Sequence, residues 1–179
     1  MRQDTQTAPP LFLFIMSLLG TKSVYLAGSM SGQKNYGRAW RKGFQKWLEE
    51  RKVAVFNPCQ YESGILKKYG VRADLCKWES LPIQMQLEII QRDLKQIAES
   101  TKFVVCYYTK PSSGTTKEMV HAWMHKIPLY VVSKRRIRGG EGSVVQADNS
   151  KVFDDFIGLK NFLAYKFKLR KYKRAVSRK

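Results

Sequence analysis

The segment FVVCYYTKPSSGTTKEMVHAWMHK, residues 103–126, decides the fold. Residues 103–108 are apolar, aromatic or β-branched and follow a polar stretch, which predicts a buried central strand. Residues 109–116 contain proline, glycine and several hydroxyls, which are typical of a loop that opens a helix. The spacing of the apolar residues in that helix predicts one shared face for Met119, Ala122 and Trp123.

Glu118 lies in the first turn of this predicted helix, and two roles compete for it. The sequence from Thr115 to Glu118 fits a capping box, in which the Glu118 carboxylate only accepts a backbone N–H at the helix start. A carboxylate between a strand and a helix, facing the crevice at the carboxyl edge of a sheet, could instead attack a sugar carbon as a nucleophile. The residues alone leave both interpretations open.

The remaining apolar runs alternate between strand and helix patterns. Three runs predict further strands, at residues 23–28, 53–58 and 127–133. Helical spacing predicts three further helices, at residues 36–51, 82–100 and 152–167. The predicted core positions of the first are Ala39, Trp40, Phe44, Trp47 and Leu48; those of the second are Ile83, Leu87, Ile90, Leu94 and Ile97. Asp93 is expected beside the second stripe.

Two stretches have no clear period. Residues 59–81 carry Tyr61, Tyr69 and Trp78, and a stretch of this length predicts a lid or binding loop whose aromatics either stack on a base or pack onto the body. Residues 134–150 are expected to form a basic loop that contains glycine.

This alternation predicts an α/β protein with a Rossmann or flavodoxin-like, mainly parallel sheet. If the first and third strands are neighbours, the crevice opens between residues 28–32 and 109–116. The first of these loops contains small residues that let backbone N–H groups approach an anion. We therefore expect Ser112, Ser113 and Glu118 to face the loop at residues 28–32. The chain has neither a GxGxxG nor a P-loop pattern, so no dinucleotide or nucleoside triphosphate site is predicted.

Length and charge predict one domain with basic appendages. The 179 residues fit a single domain, which we place at residues 22–167 between an N-terminal extension (1–21) and a basic tail (168–179). The net charge is +19, and much of it lies in the loop with Lys134, Arg135, Arg136 and Arg138 and in the tail. Such a tail could contact nucleic acid without sequence preference.

The cysteines and the N-terminal residues favour a cytoplasmic protein. Cys59, Cys76 and Cys106 form no CxxC pair, so neither a disulfide framework nor a zinc site is predicted. The apolar stretch at residues 11–19 is too short for a membrane span and is not a convincing signal peptide, and Met16 is an alternative start. No membrane contact and no cofactor are expected.

Several of these segments resemble the nucleoside 2-deoxyribosyltransferase-like superfamily, which includes the 2′-deoxynucleoside 5′-phosphate N-hydrolases. The similar segments are VYLAGSMSG (24–32), VFNP (55–58), RDL (92–94), PSSGTTKE (111–118) and HAWMHKIPLYVV (121–132). The resemblance implies a flavodoxin-like sheet, cleavage or transfer at the N-glycosidic bond of a nucleoside or nucleotide, and a homodimer.

The resemblance also implies roles for single residues. Glu118 matches the family nucleophile, Asp93 its second carboxylate and Tyr25 the tyrosine near the nucleophile. The residues matched to the substrate are Gly28, Ser29 and Gly32 on the sugar side, and Ser112, Ser113 and Gly114 in the loop that holds a 5′-phosphate.

Three other interpretations of the sequence stay open at this point. One is an NAD-cleaving glycohydrolase of similar architecture. Another is a nucleic-acid-binding module that has lost the chemistry, which the net charge favours. The third is a metal site formed by Glu118, His121 and His125, since the two histidines share a helical face. That spacing is not HExxH, and no further ligand is evident.

Overall fold

Five parallel strands form one sheet through the middle of the molecule. The computed structural model describes residues 20, 22–30, 34–71 and 78–171. The strands are β1 (Ser23–Gly28), β2 (Val55–Phe56), β3 (Thr101–Tyr107), β4 (Leu129–Val132) and β5 (Ser150–Phe153), and their order is β2-β1-β3-β4-β5. This is the flavodoxin-like order, which confirms the predicted α/β class. Because β1 lies beside β3, the segments that follow these two strands meet at the carboxyl edge of the sheet.

Among the residues that the structure describes, six α-helices cover the two faces of the sheet. They are α1 (Arg38–Glu49), α2 (Pro58–Lys68), α3 (Ile83–Ser100), α4 (Ser113–Met124), α5 (Gly139–Val145) and α6 (Phe156–Lys166). The core residues of α1 and α6 pack with Val24, Leu26 and Val105 on one face. Those of α3, α4 and α5 pack with Tyr25, Ala27 and Cys106 on the other. Side chains alternate along β1 between the two cores, so Tyr25 points toward the layer that contains α3 and α4.

The predicted loop at residues 59–81 is wrong over its first part, because α2 begins at Pro58. Asn57 caps this helix, since its side chain accepts a hydrogen bond from the backbone N–H of Cys59, and proline is well suited to a first helical position. Ser63 and Gly64 are poor helix formers and obscured the helical pattern. Residues 72–77, which include Cys76, lie outside the described part of the chain.

The predicted loop at residues 134–150 is also wrong in part. It contains α5, and its last residue begins β5. The final helix therefore begins at Phe156 rather than at residue 152. Asp155 caps it by accepting a hydrogen bond from the backbone N–H of Gly158 at 2.7 Å.

Several predicted core positions are exposed. Ala39, Ile83, Leu87 and Trp123 all lie at the surface, with Ile83 72% and Trp123 49% exposed. In α3 the buried positions are instead Met85, Ile89, Asp93 and Ile97. The prediction placed the stripe on a neighbouring face, with Asp93 at its edge. Asp93 in fact lies in the buried row.

No helix among the described residues is long and apolar enough to cross a membrane. Most of the predicted N-terminal extension and residues 172–179 of the tail lie outside the described ranges.

Candidate active site

A cavity of about 290 Å³ opens at the carboxyl edge of β1 and β3. It lies between the segments after these strands, the middle of α3 and the start of α4. This is where ligands bind in open parallel sheets. The residues that line it are Gly28, Ser29, Met30, Trp78, Ile89, Ile90, Asp93, Leu94, Lys110, Pro111, Ser112, Ser113, Gly114, Thr115, Lys117 and Glu118.

Glu118 lines this cavity, and the buried Tyr25 lies directly behind it. Tyr25 is fully buried on β1, and its hydroxyl donates a hydrogen bond of 2.6 Å to Oε1 of Glu118 on α4. The capping-box interpretation of Glu118 is therefore wrong. The helix begins at Ser113, after an N-cap at Ser112, so Glu118 lies in its second turn and its carboxylate faces the sheet. Its Oε2 atom is buried, and no described residue hydrogen-bonds to it.

Asp93 supplies a second carboxylate to the same cavity. The residue is 7% exposed, and Arg92 donates two hydrogen bonds to its Oδ1, from Nη2 at 2.6 Å and from Nε at 2.9 Å. Burial raises the pKa of Asp93, whereas Arg92 and a hydrogen bond from Tyr25 lower it; the net shift is upward. The Tyr25 hydroxyl therefore lies within reach of both carboxylates, and it has one proton to donate.

The pKa of Glu118 is raised to about 7. Burial of the carboxylate is the largest cause, and the nearby charge of Asp93 raises the pKa further. The Tyr25 hydroxyl, the Arg41 guanidinium and the backbone of Gly28 act in the opposite direction, because they favour the ionised form. Glu118 can thus be either protonated or ionised near neutral pH.

Arg41 is a buried cation beside the site that the sequence interpretation missed. It lies on α1 and is 1% exposed. Its guanidinium donates to the backbone carbonyls of Leu26, Gly28 and Gly37, with donor–acceptor distances of 3.3, 2.6 and 3.3 Å. It thereby fixes the end of β1, and its charge lowers the pKa of both site carboxylates. Arg41 lies three and seven positions before the core residues Phe44 and Leu48, and this helical spacing could have predicted that Arg41 is buried.

Five of the six predicted substrate-binding residues line the cavity, namely Gly28, Ser29, Ser112, Ser113 and Gly114. Gly32 lies outside the described residues. At Gly28, φ is 142° and an added Cβ would come within 2.8 Å of the Tyr107 carbonyl oxygen, so only glycine fits. Lys110 and Lys117 also line the cavity, and they give the wall around the start of α4 a positive charge that was not predicted.

Part of the cavity lining is apolar. Trp78, Ile89, Ile90 and Leu94 form this part. Of the three aromatics expected to stack on a base or pack onto the body, only Trp78 lies here. Tyr61 stacks on Phe56 with ring centroids 4.3 Å apart, and the Tyr69 hydroxyl donates to Glu88 at 2.9 Å. Packing onto the body therefore accounts for these two tyrosines.

The ring of His121, on α4, lies 4.4 Å from the ring of His125, the residue that ends this helix. Across the described ranges, no group of three or more histidine, cysteine, aspartate or glutamate residues could hold a metal ion. The metal site considered from the sequence, with Glu118 as a third ligand, therefore has no support here.

Comparisons with known proteins identify the fold. No protein-family model and no curated protein matches the chain. Among solved structures, the chain is similar to a 2-deoxyribosyltransferase from the psychrotolerant bacterium Bacillus psychrosaccharolyticus, with a TM-score of 0.56 and 17% sequence identity. The match covers 84% of this chain and 99% of that one. The chain therefore has the nucleoside 2-deoxyribosyltransferase-like fold.

Proposed function

We propose that the chain cleaves, or transfers a sugar at, the N-glycosidic bond of a nucleoside or nucleoside 5′-monophosphate, with Glu118 as the nucleophile. The contact of 2.6 Å between the Tyr25 hydroxyl and Glu118, in a cavity that Asp93 also lines, is the observation that carries this proposal. Two carboxylates at one cavity are the groups that glycosidic cleavage through a covalent intermediate needs. The similarity to a 2-deoxyribosyltransferase supports the proposal at the level of the fold.

The proposed reaction has two steps. In the first, a carboxylate oxygen of Glu118 attacks C1′ of the sugar and forms an ester. The C1′–N bond breaks, and its electron pair leaves with the base, which takes a proton from Asp93. In the second, water or another base attacks C1′ and releases the Glu118 carboxylate, and the proton lost by the attacking group returns to Asp93. The raised pKa of Asp93 suits a proton donor.

The lining of the cavity suggests how the substrate lies. The apolar wall with Trp78 suits a base, and the end of β1 at Gly28 and Ser29 suits the sugar. The start of α4 presents backbone N–H groups beside Ser112 and Ser113, with Lys110 and Lys117 close by. These groups favour an anion, so we assign the 5′-phosphate to this end.

The test is to incubate the protein with a panel of nucleosides, nucleoside 5′-monophosphates and NAD, and to separate the released base by chromatography. We expect base release from at least one nucleoside or 5′-monophosphate, and a second free base in the mixture distinguishes transfer from hydrolysis. Release of nicotinamide from NAD alone would replace the proposed substrate class. No release from any compound would favour the nucleic-acid-binding module.

A further inference from the structure

The loop that follows β4 carries four exposed basic side chains. Lys134, Arg135, Arg136 and Arg138 are all exposed, and they follow β4. Since β4 is the parallel neighbour of β3, this loop leaves the sheet at the same edge as residues 109–112. No described carboxylate forms an ion pair with any of the four.

The backbone of this loop is held in place. The Ser133 hydroxyl donates to the carbonyl of Arg135 at 2.9 Å and accepts from the Arg135 N–H at 3.2 Å. Ile137 is 8% exposed and packs in the core that contains α4. Gly142 lets α5 approach closely, since a Cβ there would come within 2.8 Å of the Ile137 carbonyl oxygen. The cations therefore project from a fixed turn.

A buried carboxylate ties this turn to the cavity wall. Glu141, in α5, is 9% exposed and accepts hydrogen bonds from the Tyr108 hydroxyl at 2.9 Å and from the Thr116 hydroxyl. Tyr108 and Thr116 flank the segment that contains Lys110 and the start of α4. The basic turn and the anion end of the cavity are consequently parts of one braced surface.

The charge on this surface exceeds what a single phosphate requires. One phosphate carries about two negative charges at neutral pH. Lys110, Lys117 and the start of α4 already suffice for it. Four more cations held close together in a fixed turn attract a ligand that carries further negative charge.

We propose that the anion end of the cavity continues onto the turn at residues 134–138, and that the preferred ligand carries further phosphates on the 5′ side of its sugar. This inference rests on the proposed function, because it assumes that a nucleotide enters the cavity with its 5′-phosphate toward α4. Two sources present the same chemistry, a free nucleoside 5′-triphosphate and the 5′ side of an oligonucleotide. Exposed arginines suit both, since each guanidinium can donate two hydrogen bonds to a phosphate.

The test measures binding separately from turnover. Calorimetric titrations of the Glu118→Gln protein without divalent cations give the Kd of matched nucleoside 5′-mono- and triphosphates and of a short single-stranded oligonucleotide. We expect the triphosphate or the oligonucleotide to bind at least about tenfold more tightly than the monophosphate. The tighter of the two identifies the source of the phosphates.

Two double variants, which change the net charge by the same amount, test whether the tighter binding of the triphosphate or oligonucleotide depends on the turn. In Arg135→Glu/Arg136→Glu the ratio of the monophosphate Kd to that of the tighter ligand should fall toward one. In Lys95→Glu/Lys102→Glu, which alters exposed residues on α3 and at the opposite end of β3, the ratio should stay high. Equal Kd values in the parent protein, or an equal fall in both variants, would overturn the proposal. Failure of the proposed function would appear instead as absent base release by the wild-type protein, so the two failures are distinguishable.

Discussion

At the scale of single residues, the site depends on one proton and two carboxylates. The Tyr25 hydroxyl donates to Glu118 at 2.6 Å and lies close enough to Asp93 to lower the pKa of that carboxyl. Arg92 pairs with Asp93, whereas Glu118 keeps one oxygen that no described residue hydrogen-bonds to. The environments of the two acids therefore differ, as separate roles require. Because the acids interact, the pH dependence belongs to the pair.

The first prediction concerns pH and Arg41. Glu118, whose pKa is about 7, must be ionised to attack, and Asp93 must hold the proton that goes to the base, so kcat/KM should rise with pH as the pair loses its first proton and fall as it loses its second. Arg41 lowers this pKa, so Arg41→Met should move the rise to higher pH. The deficit in rate should be large at low pH and shrink at high pH. The measurement is kcat/KM against pH for both proteins.

Arg41→Lys is the control, because it keeps the charge and loses the guanidinium geometry. Both variants leave buried carbonyls poorly paired, at about 1–3 kcal/mol for each group, so both should melt earlier than the wild type. Only the methionine variant should shift the pH profile. An equal loss of rate at every pH would show that Arg41 acts through the fold alone.

At the scale of elements, α4 joins the nucleophile to the anion end of the cavity. Its N-cap residue Ser112 makes no capping hydrogen bond through its side chain, and Ser112 lines the cavity. The hydroxyl is thus available to a ligand.

We therefore predict that Ser112→Ala changes substrate preference more than stability. The ratio of kcat/KM for a 5′-monophosphate to that for the matching nucleoside should fall by about tenfold, the effect of losing one hydrogen bond to a charged group. The melting temperature should stay near the wild-type value, since no cap is lost. Ser143→Ala, an exposed serine on α5, is the control and should leave the ratio unchanged. If Ser112→Ala affects nucleosides and nucleotides equally, the phosphate assignment fails.

The same elements show what the sequence could predict. Strong apolar runs predicted β1, β3 and β4, and the alternation of elements predicted the parallel sheet. The helices α2 and α5 were missed because their glycine-containing segments carry little periodicity. The short strand β5 was missed because its apolar residues Val152 and Phe153 were assigned to the final helix. Glu118 was a candidate nucleophile from its position between a strand and a helix, and the family resemblance added the roles of Tyr25 and Asp93. Arg41 and the buried face of α3, which contains Asp93, were missed for one reason. Charged residues are expected at the surface, and this expectation fails at functional sites, where charged side chains are buried.

At the scale of the whole molecule, α3 and α4 both expose large apolar side chains. Ile83, Leu87, Trp123 and Met124 are between 43% and 72% exposed, and the two helices pack against each other. Large exposed apolar patches favour interfaces. We propose that these exposed side chains form a surface that joins two copies of the chain, in line with the homodimer that the resemblance implies.

The corresponding prediction is a dimer that depends on this surface. Light scattering after size-exclusion chromatography should give twice the chain mass of 20.8 kDa. Leu87→Glu/Trp123→Glu should give the monomer, because two charges would be buried without partners. Ile157→Glu/Tyr165→Glu alters two exposed apolar residues on α6, which are 70% and 87% exposed, and should remain a dimer. A monomeric wild type, or dissociation of both variants, would contradict the proposal.

The basic tail gives a prediction about nucleic acid. Leu169 is 4% exposed and packs in the core with α1 and α6, so a truncation should follow Lys171 rather than Phe167. Removing residues 172–179 deletes four basic side chains. Affinity for single-stranded nucleic acid at low salt should fall and depend less steeply on salt, while turnover stays unchanged. A matching loss of turnover would place the tail in the site or in an oligomer interface.

The measurement that tests the central claim most directly is base release by Glu118→Gln, together with its thermal unfolding. The amide keeps the size of the side chain but cannot form or release a glycosyl ester, so the account predicts a protein that melts near the wild-type temperature and is slower by at least about a thousandfold. Glu99→Gln, the same change at an exposed position on α3, should match the wild type in both measurements. A folded Glu118→Gln protein that releases base at the wild-type rate would contradict the assignment of Glu118 as the nucleophile.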